Sequence, residues 1–375
     1  MKRETGFTIV EVLVATAIML VILAATVGAL TDAIHATQAV TLMADTQENL
    51  RAGMNYMVRD LMQAGGGMPQ SGITIPANTV PWPGTAGKFP AAWTSLPAIA
   101  PGGGLGPITA TSGVASDLIT ILYADNTLLD NTFAPAHWLN EFPINLAGSC
   151  PTGSITSTGA APSLTITVKF DKVACVSIDT GNTRLAVGDL ILLQNNAGGC
   201  TNGNSQVASS SCDSSGSNPT SSQALRTITG VNTATNSITF APADPFSLNG
   251  AALPAGTMTA TRIWMITYYI DNGKPARPQL MREVNLKGAS PVGDVIENLQ
   301  IFYDIVSTGT GTGPRPLAST QNETPTFAQL QYIRNAYILM FARSENLYTP
   351  TGKYIRNNLE SVVSIRGLNF YNEFK

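Results

Sequence analysis

From Phe7 to Leu30 the chain is almost wholly apolar, a run of Val, Ile, Leu, Ala and Met broken near its start by one carboxylate, Glu11. As a helix this run measures about 36 Å at about 1.5 Å per residue, enough to cross a hydrocarbon core of about 30 Å. The helical pattern does not stop at the end of the run. No proline occurs between Phe7 and Ala64, and apolar residues recur at helical spacing: Ala36, Ala39, Met43, Leu50, Met54, Met57, Val58 and Leu61. At "AGGGMP" the pattern ends, because the glycines at 65–67 suit the left-handed turn of a helix C-cap and Pro69 forbids continuation. The predicted element is one helix over 7–64, membrane-crossing at 7–30 and an amphipathic spine at 31–64.

Beyond the helix the period changes. Residues 68–115 are rich in Pro, Gly, Ala and Thr and read as a long surface connection pinned by Trp82 and Trp93. Strand-like stretches follow: "DLITILYA" from Asp117, "SLTITVKF" from Ser163, "KVACVSI" from Lys172, "DLILLQ" from Asp189, "SITFAP" from Ser237 and "RIWMITYYI" from Arg262. Four more complete the set: "QLMREVN", "VIENLQIFYDIV", "YIRNAYILMFARSE" and "SVVSIRGL". Loops over 195–222 and 307–325 interrupt them. Helices do not alternate with strands, as parallel crossovers would require, so the fold class is α+β: a long N-terminal helix on an enlarged, mostly antiparallel β-rich domain over 65–375.

Charge orients the chain. Lys2 and Arg3 precede the apolar run and hold that end in the cytoplasm by the positive-inside rule, which leaves the domain outside. A cleaved secretory signal also has a basic start and an apolar core. Its core is shorter, carries no acid and does not run on into a second helical stretch. Charged residues make up 12% of the chain and the net charge is −3, so the composition shows no phosphate-neutralising groove for nucleic acid.

Four cysteines, Cys150, Cys175, Cys200 and Cys212, lie outside the apolar segment without a C-x-x-C spacing, which points to two disulfides rather than zinc. Three pairings are possible. The short polar loop between Cys200 and Cys212 favours that pair and leaves Cys150 with Cys175. No elbow, P-loop or HExxH motif is present, which gives the expectation of no catalytic residues, no cofactor and no metal. The two histidines, His35 and His137, are a hundred residues apart, and His35 reads as an ordinary residue of the helix surface. Asp125 with Asp130, and Asp271 in "YIDNGKP", are acids that calcium would favour but lack the EF-hand spacing, so they read as turn and strand-end carboxylates.

The order Gly6, Phe7, Thr8, an apolar pair, Glu11 and a long apolar helix, "GFTIVEVLVATAIML", resembles the cleavage and methylation signal of type IV prepilins. The resemblance implies a leader at 1–6, cutting between Gly6 and Phe7 by a membrane peptidase, and N-methylation of Phe7 by the same enzyme. It also implies a partner for Glu11, the N-terminal amine of a neighbouring subunit as helices bundle. A buried charge of that kind acts as a register device.

The downstream strands "SDLITILYA", "VGDLILL", "YYIDNG", "QLMREV", "VGDVIENLQIFYDI" and "SVVSIRGLNF" resemble PilW-like minor pilins. Gly28, a weaker helix breaker, stands where many major pilins have Pro, and no cysteine follows Cys212, so the C-terminal disulfide loop of major pilins is absent, which suits a minor subunit. The implied role is a tip or priming complex of a type IV pilus, with other minor pilins, the major pilin and the inner-membrane assembly platform as partners. The implied location is the inner membrane, then the cell surface. The alternative is a J-like minor pseudopilin of type II secretion.

Overall fold

The computed structural model describes residues 8–69, 72–108, 113–125, 142–144, 155–158, 165–169, 185–195, 222–232, 237–240, 244–246, 258–306, 314–316 and 325–368. Helix α1 (Ile9–Gln63) runs unbroken for 55 residues, about 82 Å. It passes straight through Gly28, where an added Cβ would meet nothing within 4 Å. Its end is the predicted one. The Ala64 amide donates back to Leu61 O, and Gly65 (φ +76°) and Gly67 (φ +67°) take the left-handed region. The departing chain is then tied to a strand, Gly65 N–H donating to Leu122 O and Ala124 N–H to Gly66 O.

The strands in chain order are β1 (Ile73–Thr74), β2 (Ser95–Leu96), β3 (Ile99–Gly102), β4 (Leu118–Ala124), β5 (Phe142–Ile144) and β6 (Ile155–Thr158). There follow β7 (Thr165–Lys169), β8 (Leu190–Asn195), β9 (Ser222–Asn232), β10 (Ser237–Phe240), β11 (Met258–Asp271), β12 (Gln279–Val284) and β13 (Ala289–Asp294). The last four are β14 (Ile296–Val306), β15 (Pro314–Pro316), β16 (Ile333–Arg343) and β17 (Arg356–Ser364).

All pairs among the described residues are antiparallel, as the α+β reading requires. The larger sheet follows the order β13-β12-β11-β8-β9-β10-β7-β6, with β4 and β5 also on β11 and β3 on β4. Its hub is β11, which takes β8 over Met258–Ile263 and β12 over Ile266–Asp271. A four-stranded sheet is ordered β15-β14-β16-β17, with α1 along it, and β1 and β2 pair as a separate two-stranded sheet.

The helix face that packs on the head is Leu42, Thr46, Leu50, Gly53, Met54, Met57, Asp60 and Leu61. This corrects the predicted face at its lower end, where Ala36 and Met43 are exposed and Leu42 is buried instead. Leu50, Met54, Met57 and Leu61 join Leu280, Leu299, Ile338 and Met340 in one core. Burying a side chain of that size contributes about 1.5 to 3 kcal/mol. Gly53 lets the helix approach closely, since a Cβ there would sit 2.9 Å from Leu280 Cδ2.

Most predicted strands are present. "SVVSIRGL" differs in position: β17 starts earlier, at Arg356, and residues 366–368 turn into a helical segment. The segment "KVACVSI" lies outside the described residues. β9 was not anticipated, because "SQALRTITGVN" is polar, although Leu225, Arg226 and Ile228 are buried. The 68–115 connection is pinned as expected. Trp82 stacks on Phe89 at 4.7 Å, Trp93 packs against both, and Trp82 Nε1 donates to Thr120 Oγ1 at 3.1 Å. It also contains β1, β2 and β3.

Candidate functional site

The first turn of α1 is built by two side chains. Thr8 has extended backbone (φ −82°, ψ 149°) and is the N-cap. Its amide and its hydroxyl both donate to Glu11 Oε2 at 3.0 Å, and the Glu11 amide donates to Thr8 Oγ1 at 3.4 Å. This reciprocal arrangement is a capping box, and it satisfies donors that a helix start otherwise leaves open. The carboxylate also sits at the positive end of the helix dipole. Thr-x-x-Glu directly before an apolar run is a helix-start pattern visible in the sequence. The membrane reading of the run obscured it.

The local structure therefore gives Glu11 hydrogen bonds but no counter-charge. Its partners lie within its own turn, and no cation among the described residues reaches it. Around it the helix is bare. Residues 8–34 are exposed throughout, with Ile9 at 81% and Leu30 at 62%, so the apolar rod projects clear of the head. It is long and apolar enough to cross a membrane. Gly6 and Phe7 lie outside the described residues, as do Cys150, Cys175, Cys200, Cys212, Asp130 and His137.

A second cluster fixes the rod to the head. Asp60, 1% exposed on the inner face of α1, accepts from Tyr268 Oη at 2.6 Å and from Arg282 Nε at 2.8 Å. Arg59 flanks it at 3.6 Å but is largely in solvent. Burial and the Asp60 charge push the Tyr268 phenol well above its usual range, so it stays a donor. The Arg282 guanidinium is held in its charged form by Asp60 against the cost of burial. Sequence reasoning missed all three residues.

Asp125, Asp189 and Asp271 have structural partners. The buried Arg262 guanidinium bonds Asp125 through both Nε and Nη2 and lies 3.6 Å from Asp189, which Lys287 Nζ meets at 2.7 Å. Asp271 accepts from the Gly273 amide at 2.9 Å, as a turn carboxylate does. His35 is half-buried on α1. Among the described residues no group of three or more His, Cys, Asp or Glu is placed to hold a metal.

The profile of the prokaryotic N-terminal methylation motif matches residues 1–27. No curated protein and no solved structure matches the chain significantly. The matched segment covers the capped first turn and most of the bare apolar rod. The motif supports a type IV pilin- or pseudopilin-type prepilin, and the helix that carries it is long and apolar enough to cross a membrane.

Proposed function

We propose that the chain is a minor pilin, cut between Gly6 and Phe7, N-methylated on Phe7 and built into a tip or priming complex from which the major subunit extends a type IV pilus. The observation that carries this reading is the methylation motif on a rod that leaves the head with its apolar surface uncovered and with no counter-charge for Glu11 among the described residues. Such a rod is stable in lipid or in a bundle of like helices and nowhere else in the cell. The bulk of the head supports a terminal position. Two sheets and long connections would crowd lateral neighbours at every subunit of a slender fibre, whereas at a tip they are open on one side.

Processing is tested by mass spectrometry of the N-terminal peptide from protein purified from the envelope, which is expected to begin with N-methyl-Phe7. A start near Ala25 or Ala29 would mean a secretory signal and would end the pilin reading. The compartment is tested separately. Non-reducing peptide mapping is expected to link Cys200 to Cys212, and four free thiols would contradict an exported domain. Recovery of the chain with other minor pilins after cross-linking in intact cells tests the tip complex, and recovery only with secretion pseudopilins would overturn it.

A further inference from the structure

Where α1 hands over to the head, at the end farthest from the bare rod, the structure holds a cavity of about 180 Å³. Met68 and Pro69 after the helix, Pro97 and Ala98 before β3, and Phe327 and Leu330 of the 3-10 turn Phe327–Tyr332 form its walls. Among the described residues no charged side chain lines it. Phe327 is still 36% exposed there, although it packs on Trp93 at 5.6 Å. An apolar cavity of about 150 Å³ holds a benzene ring, so this one suits a single aromatic side chain.

The remaining wall is Gly367 and Leu368, in the helical turn at 366–368. Gly367 is pressed onto the end of α1, where a Cβ would lie 2.4 Å from Ala64 O. Leu368 is buried and packs over Gly65. The next seven residues, "NFYNEFK" over 369–375, lie outside the described residues. Three of the seven are aromatic, and their spacing is helical. Gly367, Phe370, Tyr371 and Phe374 stand at i, i+3, i+4 and i+7, one face of a helix, while Asn369, Asn372 and Glu373 fall on the opposite face. The aromatic face is therefore the one that Gly367 already turns to the end of α1 and to the cavity.

We propose that residues 369–375 carry this turn onward and lay the Phe370 ring into the cavity, with Phe374 over its mouth, so that the C-terminal segment plugs the far end of the head. Attachment decides for this occupant. Phe370 is two residues from Leu368, so its backbone stays within about 7 Å of the cavity wall. An occupant tethered that closely is present at an effective concentration in the millimolar range, an advantage that no separate partner has. Docking ties the bend after α1 to the turn Phe327–Tyr332 and braces the joint of rod and head beyond Asp60. The proposal uses the head alone and stands whether or not the chain enters a pilus.

For the test the full chain is placed singly in phosphatidylcholine nanodiscs, and amide hydrogen exchange is followed in residues 65–68 and 327–332. Phe370→Ala with Phe374→Ala is expected to speed exchange there several-fold, and Asn372→Ala with Glu373→Ala, on the opposite face, to leave it unchanged. Exchange in β11 and β16 serves as the folding control. A second measurement does not depend on stability: benzoylphenylalanine in place of Phe370 is expected to cross-link on irradiation to Met68 or Leu330 of the same chain. Equal exchange in wild type and the aromatic variant, the same acceleration in both variants, or the absence of that cross-link overturns the proposal. Protection that appears only with two chains in one disc gives the cavity to a second copy and overturns it as well.

Discussion

Glu11→Gln is expected to leave insertion and Gly6 cleavage intact and to abolish assembly, with the processed subunit accumulating in the inner membrane. The substitution is chosen because the structure gives Glu11 two separable tasks. As the third residue of a capping box it accepts from the Thr8 amide, and a Gln carbonyl accepts equally well. As a carboxylate it supplies a negative charge that no cation among the described residues neutralises. Gln keeps the first and removes the second.

The expected magnitudes separate them further. Losing a helix cap costs about 0.5 to 2 kcal/mol, which a helix of 55 residues absorbs by fraying one turn. Losing one member of a desolvated charge pair costs about 3 to 5 kcal/mol, a factor of about 150 to 5,000 in subunit addition. Insertion, by contrast, is expected to improve, since an acid at mid-membrane costs about 2.5 to 3.5 kcal/mol and less near the end of a span. The ranking is therefore wild type assembling, Glu11→Gln and Glu11→Ala both failing, and Gly6→Val failing earlier with the leader retained. Pilus counts and co-purification with other pilins read the first two, and the size of the subunit reads the third. Normal piliation by Glu11→Gln together with failure of Glu11→Ala would assign Glu11 to helix capping and end the register role.

What was legible in the sequence depended on whether a residue's partner was near it in the chain. Thr8, Glu11 and the helix stop at Gly65 are local signals, and the strands that alternate or run apolar, such as β4, β11 and β16, declare themselves. The orientation of the spine was less legible. A helix apolar all round below Leu30 gives no face to extend, and between neighbours Leu42 and Met43 only the position of the head decides which is buried. β9 was hidden by its polar composition, and β3 and β13 by the proline each contains, although their partners β10, β4 and β12 are neighbouring strands. Asp60, by contrast, was hidden by distance. It lies on the same helical stripe as Met57 and Leu61, a position that hints at burial, but Arg282 is 222 residues away and only the folded sheet brings it near.

Asp60→Leu is expected to be the most damaging single change in the head. It leaves the Tyr268 hydroxyl and the Arg282 guanidinium facing an apolar side chain at the junction of α1 with the larger sheet. Breaking a buried pair by removing one partner costs about 3 to 5 kcal/mol; with the Arg282 side chain 21% exposed, water recovers part of its charge, so the lower end of that range applies. Against a total stability of about 5 to 15 kcal/mol this is a large share. In the pilus subunit proposed above this junction fixes the head on the rod, so the variant is expected to be processed normally yet degraded or lost from complexes. The companion Asp60→Leu with Arg282→Met removes both charges and fills the space with carbon, and such replacements of a buried pair are commonly neutral. Denaturant unfolding of the full chain in detergent is expected to show a loss of about 3 kcal/mol for the single variant, with most of it recovered in the double. If the single and double variants were equally destabilised, the cost would lie in packing around residue 60 rather than in an orphaned cation, and the charge clamp between rod and head would have to be given up.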